Sequence, residues 1–200
     1  MILPEVNTSL TADLHVARAL PYHLIPHMEA VAVMESKFPS HIVLDYWTTD
    51  VGNFSTWAPK DYTDISIAPT LPQAEVDAAT AAGTTAELCG ENELVCAKSH
   101  QALSRICMRL IENLKEDRSD DMVRGTPQDY CLEMETEHCC VSWNAMVDKT
   151  TRIAELVPAA EIVYDNCRDM MRTYVSGKVY GAIVGNKCLN QCLSNRPGGC

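Results

Sequence analysis

The chain has 200 residues, a formal charge of -11 and a pI near 4.9. That length suits one domain with a sizeable core, or a compact module with an appended segment. The acidity argues against a nucleic-acid partner, since such binding rests on neutralising phosphates, and no run approaches the ~20 apolar residues of a membrane span.

Residues 1–88 hold Pro4, Pro21, Pro26, Pro39, Pro59, Pro69 and Pro72 and no cysteine. Met1-Ile2-Leu3-Pro4 is too short to supply the apolar core of a secretory leader. Either a leader has been removed or the chain never enters the secretory route. Asn7-Thr8-Ser9 and Asn53-Phe54-Ser55 are glycosylation triplets, which makes Asn7 and Asn53 acceptors in a secreted chain. His23 and His27 are four apart, but Pro26 between them spoils a helical metal pair. Glu29 to Met34 reads as a strand or a helix turn, and His41 to Trp47 as a strand, with Phe38-Pro39-Ser40 as a turn. Pro69 to Gly83, rich in small residues, reads as a linker or weak helix. Residues 1–88 are thus expected to be an N-terminal segment of strands and loops, with a linker near 69–88, ahead of a module over 89–200.

That module carries every cysteine: Cys89, Cys96, Cys107, Cys131, Cys139, Cys140, Cys167, Cys188, Cys192 and Cys200. An even number at this density marks a disulfide framework, which persists only in an oxidising compartment. Structural zinc is the rival reading. Zinc knuckles come in pairs of closely spaced cysteines, and only Cys188 and Cys192 have such a spacing, so no metal or other cofactor is expected.

Spacing limits the pairings. Cys96, Leu103, Cys107, Leu110 and Leu114 form one apolar stripe, which predicts a helix over 91–115. Cys96 and Cys107 then lie about 16 Å apart, beyond the ~7 Å a disulfide spans. Cys188 and Cys192, on one strand face, are about 13 Å apart. Cys139 and Cys140 point to opposite faces of a strand, so one can anchor a packed helix and the other a loop or tail. Cys200 would tie down the end of the chain. About 945 complete pairings exist for ten cysteines, and all ten are expected to be bonded.

Lys115 to Asp121 reads as a charged loop. Tyr130 to Leu132 and His138 to Trp143 read as strands. Ile153, Leu156, Val157, Ala160, Val163, Cys167, Met170 and Met171 predict a helix over 152–172, with Pro158 tolerated in a first turn. Gly185-Asn186 between two β-prone runs is a two-residue hairpin signal. The expected fold is α+β: a small antiparallel sheet with two helices packed on one face, stapled by disulfides. From Arg168 to Cys200 there are five basic residues and one acid, a segment that could face an acidic partner.

Cys139-Cys140-Val141-Ser142-Trp143, then Cys167, then Cys188 through Leu193 and the closing Ser194-Asn195-Arg196-Pro197-Gly198-Gly199-Cys200 resemble the fungal WD-like family of small secreted proteins, which is unrelated to the WD-repeat propellers. Cys89 and Cys96 ahead of a helix with Cys107 fit the same pattern, so the likeness covers 89–200. It implies a secreted, extracellular, cysteine-rich fungal protein acting at a host or cell-wall interface, and it brings no activity with it. The order of elements is also loosely similar to the viral killer toxins of smut fungi.

No Gly-x-Ser-x-Gly elbow, His-Glu-x-x-His or phosphate-binding loop occurs. Ser142 and His138 share a strand face. Glu133, Glu135 and Glu137 alternate as a charged strand edge would. Trp47, Trp57 and Trp143 could stack on sugars, although core positions are commoner. The expectation is a non-catalytic protein whose partner is a protein or a cell-wall glycan. The alternatives are a toxin acting on a membrane target through Lys178 and Lys187, and a carbohydrate-active hydrolase.

Overall fold

A computed structural model describes residues 25–61, 66–67, 71–82, 88–90, 93–116, 118–123, 129–148 and 150–199. The elements in chain order are α1 (Ile25–Lys37), β1 (His41–Thr48), β2 (Asn53–Pro59), β3 (Ser66–Ile67), α2 (Gln73–Ala82), β4 (Leu94–Cys96), β5 (Ala102–Leu103), α3 (Ser104–Lys115), β6 (Asp129–Met134), β7 (Glu137–Trp143), β8 (Ala145–Met146), a 3-10 turn (Ile153–Leu156), α4 (Val157–Asn166), β9 (Tyr174–Val175), β10 (Gly177–Val184) and β11 (Lys187–Ser194). Seven strands form one sheet in the order β1-β2-β6-β7-β11-β10-β4, antiparallel at every join. The fold is α+β with disulfide stapling, as the sequence predicts.

The segment before residue 89 supplies β1 and β2 to the same sheet: Ser55 pairs with Cys131 and Phe54 with Leu132 of β6. The stretch after Pro69 forms α2, whose Val76 and Ala79 are buried. Glu29 to Met34 lies inside helix α1.

Side chains alternate between the two faces of a strand. The first face takes Tyr130, Leu132, Cys139, Val141, Trp143, Leu189 and Leu193, packed with Ile106, Leu110 and Leu114 of α3 and Val157, Ala160 and Val163 of α4 in one core. The second face carries Trp57, Cys131 and Cys140, packed with Met34 of α1.

The first predicted helix begins at Ser104, not at residue 91, because Leu94–Cys96 is an edge strand paired with Gly177–Val179. Cys96 falls on the helical stripe by coincidence of spacing. The second predicted helix ends at Asn166, and Pro158 sits in its first turn. Residues 168–173 leave it as a turn, so Met170 and Met171 are exposed rather than core. Glu133, Glu135 and Glu137 do not share a strand. Glu135 lies in the β6–β7 turn with a φ of 61°, Glu133 is buried at 9% exposure, and both strands are interior to the sheet.

Four disulfides lie among the described residues: Cys89–Cys188, Cys96–Cys167, Cys107–Cys139 and Cys131–Cys140. Cys139 anchors helix α3. Cys140 bonds to Cys131, its direct cross-strand partner, and not to a loop or tail, because the two Cα atoms are already 4.1 Å apart. Cys192 is also disulfide-bonded. The expectations for Cys200, Asn7 and the His23–His27 pair lie outside the described side chains. Cysteines bonded to one another offer no thiolates to zinc.

Candidate functional site: a polar row beneath the C-terminal turn

Strand register aligns Val43, Trp57, Asp129, Ser142, Cys192 and Lys178 as one row across the second face. Trp57 sits at the β1–β2 end of this row, Lys178 at the other, and a carboxyl and a hydroxyl lie between. Residues 195–199 fold back over the middle. Ser194 Oγ donates to Arg196 O at 3.1 Å, Arg196 Nε to Gly199 O at 3.2 Å, and Gly198 N to Asp129 Oδ1 at 2.7 Å. Gly198 has a φ of 82°, and a Cβ there would stand 2.8 Å from the His41 ring. Both the backbone conformation and the close approach require glycine.

Asp129 has no exposed surface. Burial pushes its carboxyl up to about 7, against the opposing pull of the Ser142 hydroxyl and the Gly198 N–H. His41 Nε2 is 3.9 Å from Asp129 Oδ2, and its Nδ1 is 3.0 Å from Ser40 Oγ. Burial, then the nearby Arg196 guanidinium, hold this imidazole below its ordinary value. Burial thus keeps the histidine neutral near neutral pH and lets the carboxyl hold its proton to far higher pH than an exposed aspartate would.

The order of these groups decides what they can do. A nucleophilic triad places the imidazole between hydroxyl and carboxylate. Here the carboxyl stands between serine and histidine, and 3.9 Å is too long for a hydrogen bond. A catalytic acid must also reach its substrate, and Asp129 is sealed by the turn it holds. The arrangement anchors the last described residues to the sheet.

The turn divides two shallow concavities, each of about 400 Å³. His41, Ser142, Asn144, Lys178, Asn190 and Gly198 line one. Lys37, Phe38, Thr136, Glu137, His138 and Arg196 line the other. Lys37 Nζ pairs with Glu133 Oε1 at 3.2 Å, and His138 Nε2 is 3.7 Å from the same oxygen. Burial lowers the affinity of His138 for a proton, while Glu133 opposes that shift. A chain of strong negative charge thus gathers Lys37, Arg196 and Lys178 on one face.

Ser142 and His138 do share a face, as expected, but they belong to different cross-strand pairs: Ser142 opposite Asp129 and His138 opposite Glu133. Trp57 and Trp143 are buried, at 1% and 4% exposure, and Trp47 is stacked on Phe54 with Arg118 over its ring. None of the three offers a free sugar platform. Asn53 opens β2 with its Oδ1 accepting from Thr48 Oγ1. Asp77 and Glu155 line a common groove between α2 and α4, each already accepting a hydrogen bond, from Gln73 Nε2 and Arg152 N respectively. Asp129 carries no signal in the sequence, because its burial follows from a turn that returns after 69 residues.

The family model described as fungal WD-like matches residues 40–200, a span that takes in β1 and β2 with the cysteine-rich module. No curated protein and no solved structure matches the chain.

Proposed function

The chain belongs to the fungal WD-like family, and from that premise we propose that it is a secreted, non-catalytic interaction protein, working outside the cell as an effector or a cell-wall-associated protein. The observation that carries this reading is the covalent stapling of both sheet faces. Cys107–Cys139 ties helix α3 to one face, and Cys131–Cys140 crosslinks the strands on the other. Such bonds persist where thiols are not kept reduced. The sealed Asp129 supports a binding role over a catalytic one. The face on either side of the C-terminal turn is the proposed ligand surface, with Lys37, Lys178 and Arg196 as its cations, and its ligand is a host protein or a wall glycan. In a secreted chain Asn7 and Asn53 are the glycan acceptors.

A toxin-like action through Lys178 and Lys187 is the weaker reading. The Nζ of Lys187 is 3.6 Å from Asp148, with the side chain 8% exposed.

The test is immunoblotting of fungal culture supernatant combined with non-reducing peptide mapping. Recovery outside the cell with the four bridges intact supports the proposal. Retention inside the cell with reduced thiols overturns it. Turnover of a polysaccharide by the pure protein overturns its non-catalytic part.

A further inference from the structure

Where Met34 of α1 packs with Trp57, Cys131 and Cys140, the second face of the sheet is apolar and covered. On the other side of the C-terminal turn the same face is polar. Ser142 of β7, Cys192 of β11 and Lys178 of β10 are successive cross-strand neighbours, and Asn190 stands two residues from Cys192 on the same side of β11. Adjacent strands lie about 4.8 Å apart and alternate residues of one strand about 6.8 Å, so Lys178 and Asn190 share one small patch. Both line the concavity of about 400 Å³ that His41 and Asn144 complete. The Asn190 side-chain oxygen accepts from Gly181 N at 3.3 Å, and that of Asn144 from Asn190 N at 2.7 Å. With its oxygen spent on the backbone, Asn190 has its amino group left to offer, and that group only donates.

The charge around this patch is one-sided. Lys178 Nζ lies 4.6 Å from the Tyr180 ring centroid and makes no ion pair among the described residues, whereas Lys37 is held by Glu133 and Lys187 by Asp148. Among the described residues no aspartate or glutamate lines the concavity. Glu137 lines the one across the turn, and Asp77 and Glu155 line the groove between α2 and α4. Asp129 lies beneath the floor with no exposed surface, its Oδ1 taken by the Gly198 N–H.

We propose that this concavity binds a carboxylate-bearing sugar, a uronate residue of an acidic cell-wall glycan, with Lys178 Nζ on its carboxylate and the Asn190 amino group on an adjacent oxygen. The inference rests on the reading of this face as a ligand surface and narrows it to one ligand chemistry. A carboxylate accepts and never donates, which matches an ammonium and an amide amino group, and a charge-assisted hydrogen bond is stronger than a neutral one. A chain of net charge -11 repels anions overall, so an anion must be met where no carboxylate faces it. One lysine balances one negative charge, which suits a uronate better than a phosphate monoester carrying nearly two. A protein ligand is held chiefly by aromatic or arginine anchors in desolvated pockets, and Trp143, the aromatic of this lining, is 4% exposed. An open polar floor suits a ring covered in hydroxyls.

The experiment is isothermal titration calorimetry of the full chain with tetragalacturonate, with the same oligomer carrying methyl-esterified carboxyls, and with a sulfated neutral oligosaccharide of the same length. Tetragalacturonate should bind, and less tightly as salt is raised. The ester should bind at least about tenfold more weakly. Lys178→Gln should melt at the wild-type temperature and lose about tenfold in affinity for tetragalacturonate, while Lys178→Arg, which keeps the charge, should stay within about threefold of wild type. Lys115→Gln, on α3 at the opposite face of the sheet, should change nothing. Absence of binding at millimolar tetragalacturonate overturns the inference. So does equal affinity for the ester, tighter binding of the sulfated oligomer, or a Lys178→Gln variant that binds like wild type. A secreted, fully bridged protein that ignores uronate fails this inference alone, whereas a protein retained in the cell with reduced thiols fails the parent reading whatever it binds.

Discussion

The backbone N–H of Gly198 donates to Oδ1 of Asp129 at 2.7 Å, joining the C-terminal turn to the first residue of β6 across 69 residues of chain. The acceptor is a carboxyl pushed up to about 7 by burial, so the clasp has a pH dependence with a definite sign. The folded state holds the Asp129 proton more tightly than the unfolded state, whose carboxyl releases it near its ordinary value. The stability this group contributes is fully present below about pH 4 and is lost as pH rises through about 7. The loss is about 4 kcal/mol at most. Denaturant midpoints from pH 4 to pH 8 should therefore fall more steeply for the wild-type protein than for Asp129→Asn, which keeps an acceptor for Gly198 and cannot ionise. Taking the difference between the two removes the opposite slope from His41 and His138, whose lowered proton affinity adds stability as pH rises. Parallel curves would show that the Asp129 carboxyl titrates in the folded protein as it does in the unfolded chain, without the upward push of burial.

Gly177→Ala should destabilise the protein by about 1–3 kcal/mol. A Cβ at this position would stand 2.8 Å from Cys167 Sγ and 3.1 Å from Val95 O. The first of these atoms is fixed by the Cys96–Cys167 bridge and the second is backbone of β4, so neither yields easily. Thermal unfolding reads the loss, and an unchanged melting temperature would mean that the helix and strand can separate without cost.

The disulfides should not contribute equally. Cys89–Cys188 closes a loop of 99 residues and Cys131–Cys140 one of 9. In the chain-entropy account the longer loop stabilises by about 2 kcal/mol more. The Cys96–Cys167 bridge shortens that path in the unfolded chain and brings the expected excess nearer to 1 kcal/mol, again roughly. Paired Cys→Ala variants compared by urea unfolding check the order. A greater loss at Cys131–Cys140 would mean that packing at the α1 face outweighs loop closure.

Lys178 and Lys187 should respond differently to charge reversal. Lys187→Glu places a second carboxylate against Asp148 in a largely buried position and should lower stability by about 2 kcal/mol or more. Lys178, partly exposed with its Nζ 4.6 Å from the Tyr180 ring centroid, should tolerate the change within about 0.5 kcal/mol. Circular dichroism melts of the two variants distinguish them.

Sequence alone determined the class of this protein. Cysteine density marked a stapled module, the β-branched run from His41 marked a strand, Gly185-Asn186 marked the hairpin of β10 and β11, and the apolar stripe through Cys107, Leu110 and Leu114 marked the helix α3. Each of these signals is local, because a side chain's face is set by its own strand or helix period. Tertiary structure decided the rest. It gave Cys140 to Cys131 through strand register, placed Cys96 on an edge strand despite its helical spacing, and turned Met170 and Met171 out to solvent although the apolar period runs on through them. It also buried Asp129 under a distant turn. Periodicity cannot say where an element stops once another strand competes for the same backbone hydrogen bonds, nor which groups a returning chain will seal from water.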